Sequence, residues 1–112
     1  MQDERVFDKK AALALVDNDE ELLQILISSF LTENKFDKPE LKKLLDDGKT
    51  DEAARYVHAT KGAARQLCME KLKTSGQALE DVLRGKVIGD ISMLTERMFD
   101  DYEEAVKAVS EA

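Results

Sequence analysis

Tryptophan is absent from the 112 residues, and cysteine, proline and histidine occur once each. A lone cysteine, Cys68, excludes an internal disulfide and a cysteine metal cluster, and it fits a reducing compartment. Five glycines, one proline and 5% aromatic residues are too few for a sheet-rich fold, which needs more turn punctuation and more β-formers. No apolar run approaches the ~20 residues of a membrane span. The acidic start Met1-Gln2-Asp3-Glu4-Arg5 leads into no apolar signal region. A cytoplasmic protein is therefore expected. Basic residues are outnumbered, 17 against 24 acidic ones, for a net charge of −7. That balance excludes nucleic-acid binding, which relies on phosphate neutralisation by Lys and Arg, and it fits a soluble monomer. No Gly-rich phosphate loop precedes a helix, so nothing provides a nucleotide site.

What the chain does have is helix-forming residues, in a length that suits one domain, 1–112, with 1–6 as a flexible tail. A short helix is expected over Asp8–Leu15, followed by a turn and N-cap at Asp17-Asn18-Asp19. Leu23, Leu26, Ile27 and Phe30 share one helix face, and so do Leu41, Leu44 and Leu45. Between them Phe36 falls out of phase and Pro39 interrupts. Either one long helix kinks near Asn34–Pro39 or a second helix starts there. Gly48 reads as a left-handed cap, and Thr50 as the N-cap of the next helix, which runs to about Cys68. Another helix covers about Glu70–Arg84, weakened by Gly76 and stopped by Gly85. The last begins at Gly89-Asp90, with a stripe of Ile91, Leu94, Met98, Tyr102, Ala105 and Val109. Met69, Met93 and Met98 read as core fillers. The pattern predicts an all-α antiparallel four-helix bundle with a short additional N-terminal helix.

The only histidine, His58, is the most informative residue. On its helix, Ala53, Val57, Thr60, Ala64 and Leu67 cluster towards the core. Ala54, His58, Lys61, Gly62 and Arg65 cluster on another side, so the imidazole is expected to face solvent. Neutral imidazole is a nucleophile at physiological pH. Lys61 can neutralise an anion as a point charge. Gly62 costs ~1 kcal/mol relative to alanine mid-helix, and on a polar face the missing side chain reads as clearance for something approaching His58. Ala54, Ala59 and Ala63 are small enough to flank an apolar docking patch, with Arg65 on its rim and Leu22 and Ile25 extending it. A metal-binding bundle would need inward Glu and His ligands on several helices, and one outward histidine does not supply them.

The stretch His58-Ala59-Thr60-Lys61-Gly62-Ala63-Ala64-Arg65-Gln66-Leu67, continuing through Leu72 to Leu79-Glu80, resembles the histidine-containing phosphotransfer (HPt) domain. Phe7-Asp8, Asp19-Glu20-Glu21-Leu22-Leu23, Phe30-Leu31, Gly48 and Asp51 are similar upstream. Thr60 departs from the usual leucine, and Cys68-Met69 from the usual glycine and small residue at the helix turn. The resemblance implies a phosphorelay carrier in two-component signalling, a phosphoprotein and not an enzyme. His58 would exchange a phosphoryl group with the aspartate of a response-regulator receiver domain. Lys61 would support that group, Gly62 would leave room for the receiver, and Glu80, or Gln77 one turn earlier, would orient the imidazole. It implies no cofactor of its own, Mg2+ on the receiver, and an upstream sensor or hybrid histidine kinase. A non-phosphorylated helical module that docks a signalling partner is the alternative.

Overall fold

The computed structural model describes residues 3–111, and every regular element among them is helical. In chain order these are α1 (Lys9–Leu15), α2 (Glu20–Thr32), α3 (Lys38–Asp46), α4 (Thr50–Gln66), α5 (Glu70–Leu83) and α6 (Ile91–Glu111). The expected all-α bundle thus forms. Cross-helix partners give its directions. His58 meets Glu80 and Lys61 meets Gln77, so α4 and α5 run antiparallel. Lys71 meets Glu104 and Gly76 meets Met98, so α5 and α6 do too. No helix among the described residues is long and apolar enough to cross a membrane.

Pro39 separates two helices; it does not kink one. α2 ends at Thr32, and Pro39 lies in the first turn of α3, where its missing N–H leaves no intrahelical bond unmade. Phe36 is out of phase because it belongs to the connection, yet it is buried against Tyr56 and Tyr102. The Tyr56 hydroxyl accepts from the Asp37 N–H at 2.8 Å, and the Thr60 hydroxyl donates to the Asn34 carbonyl at 3.3 Å. These bonds anchor the connection along α4. The core joins Leu23, Ile27 and Phe30 of α2 to Val57 and Ala64 of α4, Leu72 and Leu79 of α5, and Met98 and Ala105 of α6.

Four expectations need correction. Thr50 is the first residue of α4 and not its cap. The preceding Lys49 donates its N–H back to Leu44 across the left-handed Gly48, and this turn is so tight that the helix restarts at once. Met93 is 61% exposed; the Asp90 carboxylate accepts from its N–H, which fixes it in the first turn of α6, off the inward stripe. Residues 3–6 are not a free tail, because Val6 and Phe7 are buried and the Arg5 carbonyl accepts from the Lys71 N–H at 2.8 Å. Met1 and Gln2 lie outside the described residues. α4 stops at Gln66 instead of running to Cys68. There Cys68 takes a left-handed φ of 56°, and the Met69 N–H returns to the Ala64 carbonyl at 2.9 Å. A cysteine here fills the backbone role that usually falls to glycine.

Candidate functional site

His58 rides on the outer face of α4, above the buried stripe of Ala53, Val57, Thr60 and Ala64. Its side chain is 57% exposed, and Nδ1 lies 3.2 and 3.1 Å from Glu80 Oε1 and Oε2. Glu80, on the facing turn of α5, is only 5% exposed. Burial works against its ionisation, but bonds from Lys61, Arg84 and His58 outweigh that and hold its carboxyl down at about 2. An ionised carboxylate only accepts hydrogen bonds, so His58 Nδ1 is the donor. The neutral ring then carries its lone pair on Nε2, which has no hydrogen-bond partner among the described residues.

Lys61 is not a free point charge. Its Nζ lies 2.8 Å from Glu80 Oε1 and 3.0 Å from Gln77 Oε1, and the side chain is 13% exposed. Gln77 does not contact the imidazole; its amide donates to Asp81 at 2.8 Å. Gly62 behaves differently from Gly76. A Cβ added at Gly62 meets nothing within 4 Å. At Gly76 it would stand 3.1 Å from the Lys61 Cβ and 3.2 Å from the Met98 Cε, so that glycine lets α5 close on the Lys61 stem.

Ala54 does not flank the open face as expected. It is 1% exposed, because α3, α2 and α5 cover both flanks of α4 and leave only a strip open. Ala59 and Arg65 remain on that strip, whereas Ala63 is buried. Arg65 stands apart from the His58–Glu80 cluster and lines, with Lys61, Lys73, Gln77 and Asp81, a groove of about 570 Å³ between α4 and α5. Leu22 and Ile25 are exposed on α2, which packs beside α4. His58 itself does not line the groove between α4 and α5. With its side chain more than half exposed, His58 presents Nε2 on an open face.

The family model of the Hpt domain matches residues 25–112. The chain belongs to the Hpt domain family. That family serves phosphotransfer in two-component signalling. No curated protein and no solved structure matches the chain.

Within this Hpt domain, Glu80 serves two partners at once. Glu80 meets the imidazole, and it also pairs with Arg84, whose Nε lies 2.7 Å from Oε2. The i, i+4 spacing of Glu80 and Arg84 is visible in the sequence, but its meeting with the imidazole is not. Gly76 was likewise visible only as a weak point in a helix. Its packing role depends on the register between α4 and α5. Among the described residues, no cluster of His, Cys, Asp and Glu could hold a metal ion.

Proposed function

We propose that this Hpt domain is a phosphorelay carrier and that His58 Nε2 is the atom that carries the phosphoryl group. The observation behind this reading is the pairing of Nδ1 with a buried, ionised Glu80 while Nε2 faces outward beside an open Gly62. Nε2 attacks the phosphorus of an aspartyl phosphate on a receiver domain. An N–P bond forms as the acyl P–O bond breaks, and the receiver's aspartate leaves as a carboxylate. The ring keeps its Nδ1 proton and becomes cationic. Glu80 stabilises that charge through the bond it already accepts, as the acid behind a catalytic histidine does. The same charge makes the imidazole a good leaving group when the phosphoryl group moves on to another aspartate.

Lys61 and Gly62 complete the site, one as a cation that shares Glu80 with the imidazole and the other as clearance. Arg65 belongs to the rim that the partner touches. Mg2+ would be held by the receiver's acidic pocket, and this chain would need no cofactor of its own. Its partners would be receiver domains and an upstream sensor or hybrid histidine kinase, met in the cytoplasm by a monomeric carrier that is not itself an enzyme. Incubation with a phosphorylated receiver domain should label the protein with an acid-labile, base-stable phosphate. His58→Gln should abolish the label. Labelling that survives the substitution sinks the assignment, and no labelling of the native protein would favour a module that only docks its partner.

A further inference from the structure

We propose that Arg84 is a positioning residue that keeps the Glu80 carboxylate aimed at His58 Nδ1 while Lys61 leaves it to meet the phosphoryl group. This rests on the phosphorelay reading above. An ammonium has three donors, and two of those on Lys61 are spent, one on Glu80 Oε1 at 2.8 Å and one on Gln77 at 3.0 Å. Its side chain is largely buried between α4 and α5. A phosphoryl group on His58 Nε2 would draw Lys61 outward, away from the carboxylate. A buried carboxylate stripped of its cation is costly, and it would be free to turn away from the ring or to take up a proton.

The two oxygens of Glu80 divide this work. Lys61 holds Oε1, Arg84 Nε holds Oε2 at 2.7 Å, and His58 Nδ1 lies at nearly equal distance from both. Oε1 can therefore be vacated while Oε2 stays anchored. The anchor is short-range and built into one helix, because Arg84 is the C-cap of α5 and its guanidinium folds back one turn to the carboxylate. The structure gives Arg84 no bond to His58. It acts on the ring only through Glu80.

The free protein tests this without any phosphotransfer. Side-chain nitrogen NMR reads which ring nitrogen of His58 carries the proton. In Lys61→Met, Arg84 still anchors Glu80, so the Nδ1–H tautomer should dominate. In the double variant Lys61→Met/Arg84→Gln, the tautomers should become mixed, and Arg84→Lys in place of Arg84→Gln should restore most of the Nδ1–H form. Circular dichroism establishes that each variant folds. A second arm uses a phosphorylated receiver domain in single-turnover transfer. Arg84→Gln should slow transfer roughly tenfold, the loss of about one charge-assisted hydrogen bond, with receiver affinity unchanged. An unaltered tautomer in the double variant, or unaltered transfer in Arg84→Gln, overturns the role of Arg84 and leaves the relay standing. A native protein that takes up no phosphate overturns the relay instead, and the tautomer result then stands by itself as a statement about Glu80.

Discussion

Glu80 is where burial and charge meet in this molecule. A carboxylate 5% exposed persists because Lys61, Arg84 and His58 supply its hydrogen bonds. Its acidity then has a consequence for stability. The folded value is about 2 against an ordinary 4.5, so the unfolded state takes up a proton first as the pH falls. Stabilisation from this group is complete above about 4.5 and disappears between there and about 2. A depression of that size corresponds to roughly 3 kcal/mol. Urea denaturation from pH 2 to pH 6 should show a steep acid limb in the native protein and a shallower one in Glu80→Gln. Equal slopes would mean that Glu80 is not the group titrating. The sequence makes Glu80 legible through the family pattern and Arg84 through helix spacing. It did not show that Lys61 is engaged with both Glu80 and Gln77, because that depends on how α4 and α5 register side by side.

At the scale of the helix, the two mid-helix glycines differ in what surrounds them. Gly62 faces open space, so Gly62→Ala should gain most of the ~1 kcal/mol of helix propensity and raise the Tm by about 4 °C. Gly76→Ala should gain nothing, because the new methyl would press on the Lys61 stem, which is fixed to the α4 backbone. Gly62→Gln should instead keep the fold and slow transfer, by filling the approach to His58. Thermal denaturation and single-turnover transfer check the three variants, and an unchanged rate in Gly62→Gln would refute the clearance role. The helix ends show the same limit on what spacing reveals. Asp19 and Gly85 act as their residue types suggest. Cys68 does not: it takes the left-handed place in the local turn that returns the Met69 N–H to the Ala64 carbonyl, a place better suited to glycine. Ala54 was misplaced for a different reason. A helical wheel gives its angle but not how far the neighbouring helices wrap around α4.

The whole molecule closes around a segment that the family match does not include. Residues 25–112 match the Hpt domain, but Val6, Phe7, Ala12 and Leu23 are buried in the same core. The segment also joins the helix pair that carries the site. Asp8 N–H reaches the Cys68 carbonyl at 3.2 Å, and the Arg5 carbonyl accepts from Lys71, one of the first N–H groups of α5, which has no side-chain cap. Phe7→Ala should therefore cost about 3–4 kcal/mol, a large share of the ~5–15 kcal/mol that holds a domain of this size together. The Tm should fall by on the order of 10 °C or more. The site should survive that loss while the protein remains folded, because His58, Lys61, Glu80 and Arg84 are held by one another across α4 and α5. Circular dichroism melting, with imidazole NMR well below the transition, reads both halves of this expectation. A Tm that does not move would show that the N-terminal segment is not part of the core. A His58 tautomer that changes in the folded variant would show that the site depends on the whole bundle and not on one helix pair.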